Sequence, residues 1–123
     1  MNFKLDYMSA VDDSYVLNVH PSGTEQKIYR NDTSTARSST YGSIAYLTGL
    51  GGTGHVLIIQ GLNMAGTQAA ADALFNPSII GPVLEQAKLP DGTLRSFELL
   101  VQTASVGATA PEVQVIATRI YPL

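Results

Sequence analysis

The chain has 123 residues, one domain's worth of sequence, with no cysteine, a formal net charge of −3 and 14% charged residues. A chain of this length buries roughly two-thirds of its unfolded surface and needs no staples; the missing thiols exclude a disulfide framework, thiolate metal sites and a cysteine nucleophile. The basic residues Lys4, Lys27, Arg30, Arg37, Lys88, Arg95 and Arg119 form no stripe, which argues against a nucleic-acid partner, and the longest strongly apolar run, Val56 to Ile59, falls far short of the ~20 residues of a bilayer span.

The amino-terminal half reads as strands. Phe3 to Met8 alternates apolar and polar side chains, the period of a half-buried strand. Tyr15 to His20 is β-branched and extended; Pro21-Ser22-Gly23 ends it, and Gln26 to Arg30 follows as a short partner strand across a hairpin turn. Residues 31–40 contain no large apolar side chain and read as a surface loop rich in hydroxyls, with Thr33, Ser34 and Thr35 at its centre. Tyr41 to Leu50 fits a strand or a short helix, with Ser43 to Thr48 strand-like in composition and Gly49 to Gly54 as the break.

His55 to Gly61 is the clearest element. Four consecutive aliphatic residues predict burial on both faces, as at the centre of a parallel sheet. The strand passes through Gly61-Leu62-Asn63-Met64-Ala65-Gly66 into an alanine-rich helix over 67–75, capped by Thr67 or Asn63 and stopped by Asn76-Pro77. A second helix is predicted from about Ser78 or Gly81 to Lys88, with Pro82 in its first turn. After a Pro90-Asp91-Gly92-Thr93 turn, residues 95–103 form a strand that completes a βαβ unit with 56–60. Residues 112–121 alternate as a last strand, antiparallel to it across a short connection. The predicted fold is therefore a single α/β domain, a mixed β-sheet of about six or seven strands with one βαβ crossover and two helices. Two helices on one face leave the other undercovered; the strands of the first half, or another chain, must cover it.

The ligand-binding candidates are Gly61, Asn63, Gly66 and Thr67. Ligands of open α/β sheets sit beyond the carboxyl ends of strands, and a helix start offers N–H groups and a positive dipole end to a small anion. The segment lacks the Gly-Lys-Ser/Thr ending of a phosphate-binding loop and the Gly-x-Gly-x-x-Gly spacing of a dinucleotide site; glycines at a strand-to-helix turn also have a purely backbone explanation. Gly49-x-Gly51-x-x-Gly54 matches that spacing but precedes a strand where the motif must follow one. His20 and His55 each stand at a strand end, without a second histidine at metal-ligand spacing. Asp12 and Asp13 read as turn caps. Glu98, between Phe97 and Leu99, points to the face opposite those two; it is an acid–base candidate if that face is buried, and otherwise meets solvent or Arg119 on the neighbouring strand. No Gly-x-Ser-x-Gly elbow is present. No catalytic residue, metal ligand or cofactor is assigned.

Tyr41, Ala45-Tyr46-Leu47, Gly54 to Gly61 and Met64-Ala65-Gly66-Thr67-Gln68-Ala69-Ala70 form an apolar strand followed by Gly-x-x-Met-x-Gly-Thr-x-Ala-Ala. This block, with Asn2-Phe3 and Phe97-Glu98-Leu99-Leu100, resembles the carboxyl-terminal part of a group of uncharacterised bacterial hypothetical proteins, some with a winged-helix-type regulator module upstream. The resemblance carries over no catalytic residue. It implies an additional α/β segment before the part seen here, so that this chain lacks the first strand of its sheet and exposes an edge that pairs with another chain, giving a homo-oligomer. The expected function is that of a non-enzymatic ligand-sensing or interaction domain in the cytoplasm. The alternatives are a structural or oligomerisation module with an interface along 3–8 or 112–120, and an enzyme acting on a nucleotide or phosphate. The enzyme reading requires Glu98, His20 or His55 to converge on the 61–67 turn.

Overall fold

The computed structural model describes residues 1–9, 13–31, 37–50, 54–106 and 112–121. In chain order the elements are β1 (Phe3–Met8), β2 (Asp13–Asn18), β3 (Ile28–Arg30), β4 (Arg37–Leu50), β5 (Gly54–Gly61), α1 (Met64–Leu74), α2 (Pro77–Ala87), β6 (Phe97–Val106) and β7 (Glu112–Ile120). This is the mixed α/β class expected, with seven strands and two helices. The strands divide into two sheets, of order β1-β2-β3 and β5-β4-β6-β7. All hydrogen-bonded neighbours run antiparallel.

The two helices do carry the chain between two strands of like direction. β5 and β6 both run antiparallel to β4, which lies between them, so the crossover spans an intervening strand. This placement moves β5 from the expected centre to an edge, where Val56 and Leu57 are 37% and 50% exposed. A run of four aliphatic residues marks a strand without saying where it sits; here β4 and β6 take the centre. β4 also starts earlier than its composition indicates. Residues 37–40, read as loop, pair with β6 from Arg37↔Val106 onward, and Thr40 is buried. Thr33, Ser34 and Thr35, Asp12 and the Gly51–Thr53 part of the glycine break lie outside the described residues.

Each face of the larger sheet has its own core. On one side Ile44, Phe97, Leu99 and Val101 meet Ala69, Ala70 and Ala73 of α1 and Ile80, Val83 and Ala87 of α2. On the other side Leu100 and Ala117 meet Phe3, Val16 and Tyr29 of the smaller sheet. The strands of the first half thus cover the face the helices leave open.

Local chemistry fixes the ends of the helices. Asn63 caps α1, its side-chain oxygen accepting from the Gly66 N–H at 2.9 Å, and Asn76 caps α2 by accepting from the Ser78 N–H at 3.0 Å. α2 begins at Pro77, so Pro82 stands inside the helix rather than in its first turn. The carbonyl it leaves without an intrahelical donor belongs to Ser78, and both residues are on the exposed side of the helix, open to solvent.

Candidate functional site

Strand alternation points Phe97 and Leu99 at the helices and Glu98 at the smaller sheet, where its side chain is 1% exposed. The carboxylate is satisfied there by backbone. The Asn2 N–H donates to Oε1 at 3.0 Å and Oε2 at 2.8 Å, the Phe3 N–H donates to Oε1 at 3.2 Å, and the Tyr121 hydroxyl donates to Oε2. Burial pushes the Tyr121 hydroxyl well above the usual phenol range, and its bond to the Glu98 carboxylate adds to the rise.

Asn2 is itself bracketed. Its Nδ2 donates to Asn18 Oδ1 at 2.8 Å, its Oδ1 accepts from the His20 N–H at 2.9 Å and its carbonyl from the Val19 N–H at 3.0 Å. Arg119 lies opposite Glu98 in the β6–β7 register, as the sequence suggested, but its guanidinium turns to Glu25. It donates to both Glu25 carboxylate oxygens and to the His20 carbonyl at 2.9 Å, and lies 5.3 Å from the centre of the Phe3 ring. The Arg119 contacts with Glu25, His20 and Phe3 tie the smaller sheet to the larger one, while the bonds of Asn2 with residues 18–20 lie within the smaller sheet.

The Arg119 bond is the main reason the Glu25 carboxyl is held down at about 2; bonds from Asn18 and the Ser22 N–H and the Arg119 charge add to it, and partial burial opposes them. A carboxyl whose folded pKa lies below the ordinary 4.5 stabilises the fold above that value and loses its contribution as pH falls towards about 2. Glu25→Gln is therefore expected to lower stability at pH 7 by about 1–2 kcal/mol, a partly solvated pair being worth less than a buried one. Urea denaturation at a series of pH values should show the two proteins converging between about pH 4.5 and 2.

Beside this cluster the two sheets leave an open cleft of about 500 Å³. Met1, Val19 and Leu47 give it apolar walls, and Asn2, His20, Ser96, Glu98, Arg119 and Tyr121 line the rest. Ser96 is fixed by its hydroxyl, which accepts from the Thr48 N–H at 2.9 Å. Of the three groups singled out for acid–base work, His20 and Glu98 reach this cleft. His55 does not. It stands beyond β4 and is exposed, its ring stacked 6.0 Å from that of Tyr46 and its Nδ1 3.3 Å from the Tyr46 hydroxyl; Tyr46 in turn packs against the helix-side core.

The helix start at 61–67 is a separate place. Gly61 pairs with Gly42 across β4–β5, and Gly66 lies against both strands. A Cβ on Gly61 would stand 2.1 Å from the Thr67 nitrogen, and one on Gly66 2.3 Å from the Tyr41 carbonyl oxygen. Neither glycine has positive φ; the positive-φ glycines of the described residues are Gly23 and Gly92. Their role in the fold is close approach of α1 to the sheet. Asn63 is engaged as the cap, and the Thr67 hydroxyl donates to the Asn63 carbonyl at 3.2 Å. Both side chains are exposed.

Both Glu98 oxygens already accept hydrogen bonds, and the Arg119 guanidinium is paired. Among the described residues no group of three or more histidine, aspartate and glutamate side chains is placed to hold a metal ion, and no helix is long and apolar enough to cross a membrane. The sequence reading missed the cleft because it is made by Asn2 and His20 meeting β6 and β7. Alternation gave the direction of Glu98, and nothing local to β6 says which segment arrives there. No protein-family model, curated protein or solved structure matches this chain.

Proposed function

We propose that this chain is a non-enzymatic ligand-sensing domain whose ligand is a small organic molecule held in the cleft between the two sheets. The observation that carries this reading is the cleft itself: about 500 Å³, within the size range of small-molecule sites, with apolar walls and a few fixed polar groups. Such a site holds the ligand's apolar body against Met1, Val19 and Leu47 and orients a polar head on Ser96, His20 and Tyr121. The expected setting is the cytoplasm. The small anion expected at Gly61, Asn63, Gly66 and Thr67 belongs to the same reading as a second contact, on the exposed side of the helix start.

The test is a thermal-shift screen with small metabolites and inorganic phosphate. A ligand that binds only the folded chain at 100 times its Kd adds about 2.7 kcal/mol, a rise of roughly 10 °C in Tm for a domain of this size. A cleft ligand should stabilise the wild type and leave Leu47→Trp, which fills the cleft, unshifted. A phosphate effect should disappear in Asn63→Ala. A screen without any shift, or equal shifts in wild type and Leu47→Trp, would remove the cleft as the binding site. A structural or oligomerisation role is the second reading, and the observation favouring it is the edge position of β5, which pairs with β4 alone among the described strands.

A further inference from the structure

We propose that the ligand of the cleft is an organic monocation, an ammonium group on an apolar body, drawn by the charge of Glu98. This rests on the reading of the cleft as a ligand site and adds the chemical class of the ligand.

The charge of the wall comes first. Glu98 lines the cleft and is 1% exposed. Three of its four hydrogen bonds come from the Asn2 and Phe3 N–H groups, which can only donate. Such partners suit the ionised carboxylate, which is acceptor-only. They carry dipoles and no net charge, so they solvate the carboxylate without neutralising it.

The cation best placed to neutralise it is engaged elsewhere. Arg119 gives both terminal nitrogens to the Glu25 carboxylate, and it stands within Coulomb range of Glu98 without bonding to it. Two carboxylates share one guanidinium, so two negative groups against one positive leave a net charge of −1. Arg95, beside Ser96, reaches away to the Gln86 carbonyl of α2 at 3.4 Å and does not line the cleft. Among the described residues no lysine, arginine or amino-terminal nitrogen comes within 4.0 Å of the Glu98 oxygens.

The rest of the wall fits the same kind of ligand. A cleft with low-dielectric walls and one sign of charge focuses the field on its contents, and Met1, Val19 and Leu47 supply such walls. The acceptor positions of Glu98 are taken by its four bonds, so the ammonium group does not bond to it directly. Tyr121 offers the acceptor instead. Its hydroxyl gives its proton to Glu98, and an oxygen polarised in this way is a stronger acceptor for the next donor. Tyr121 lines the cleft and is partly exposed. An anionic head meets the like charge of Glu98, and a neutral head gains little from it.

Isothermal titration at about pH 8, above the ordinary imidazole range, tests this with two apolar bodies and three heads. The probes are tryptamine, tryptophol and indole-3-acetate, and hexylamine, hexanol and hexanoate, each up to ~10 mM, the weak end of measurable affinity. In at least one series the ammonium member should bind about tenfold or more tightly than the neutral member, with the carboxylate weakest. The preference should shrink as salt is raised from ~0.01 to 1 M. Glu25→Gln leaves every Glu98 bond in place and frees Arg119 to balance it, so the preference should fall below about threefold. A folded Glu98→Gln protein should show the same fall. Neutral or anionic members that bind as tightly as the ammonium members, and lose binding in Leu47→Trp, would overturn the charge assignment while the cleft remains a ligand site. A preference unchanged in both glutamine variants would overturn it too. If no member binds, or Leu47→Trp binds all of them as the wild type does, the cleft reading falls and this proposal falls with it.

Discussion

Replacing Glu98 by alanine should lower folding stability by about 3–5 kcal/mol, the largest effect expected of any single side-chain truncation in this fold. The reason is what the carboxylate leaves behind. The Asn2 and Phe3 N–H groups and the Tyr121 hydroxyl all donate to it at the inner wall of the cleft, where Glu98 itself is buried. Each buried donor that loses its acceptor costs about 1–3 kcal/mol, and losses within one network do not add fully. Glu98→Gln should fall between, at about 2 kcal/mol: it retains one acceptor oxygen, but its amide nitrogen faces another donor. Tyr121→Phe removes one donor and leaves the bonds from the two backbone N–H groups, at about 1 kcal/mol. Urea denaturation gives this order. Native-state hydrogen exchange gives the location: the Asn2 and Phe3 amides and the β1–β2 ladder should lose protection before β4 and β6, because Glu98 fastens the small sheet to the large one. Equal stability of Glu98→Ala and wild type would mean that the carboxylate does not hold that junction.

Glu98 also marks how far the sequence could be read. Period-2 alternation from Phe97 to Leu100 gave its direction, and the register of β6 with β7 put Arg119 opposite. Both are local quantities, set within a strand or across one hairpin. That Asn2 and Phe3 would arrive above it depends on a contact 96 residues away in sequence, and no local pattern encodes that. The same distinction explains β5. Its aliphatic run specified a strand, and a helix was expected over 67–75 with Thr67 or Asn63 as its cap; α1 begins three residues earlier, at Met64, with Asn63 as the cap. Its position at the edge was decided elsewhere, by β4 running long enough to pair with β5 on one side and β6 on the other. The Arg37–Thr40 stretch was misread because polar composition usually means a loop; here Thr40 is buried between neighbouring strands and its backbone makes the ladder. The two-sheet division has the same origin. Six or seven strands were countable, but sheet membership is a matter of long-range pairing, and the hairpin signals of the first half are equally compatible with joining the larger sheet.

The second large effect concerns the seam where α1 meets the sheet. Gly66→Ala should destabilise the chain by at least about 3 kcal/mol, at or beyond the upper end of ordinary overpacking. The added methyl would stand 2.3 Å from the Tyr41 carbonyl oxygen, and Gly42→Ala would place one 2.2 Å from the Gly66 carbonyl oxygen. These neighbours are backbone atoms of β4 and α1, so no rotamer change makes room. Relief requires the helix to lift, and lifting it opens the contacts of Ala69, Ala70 and Ala73 with Ile44 and Leu99. The effect should therefore spread along α1 instead of staying at its start. Gly81→Ala is the matching control. Gly81 sits inside α2 with nothing within 4 Å of an added Cβ, so the change should stabilise by about 0.5–1 kcal/mol through helix propensity and a less free unfolded chain. Both variants add one methyl group at a helical glycine. Opposite signs in chemical denaturation would show that what separates them is the distance of the helix from the sheet. The same sign for both would mean that α1 has room to spare at Gly66, and that the glycines at 42, 61 and 66 are kept for something other than close packing.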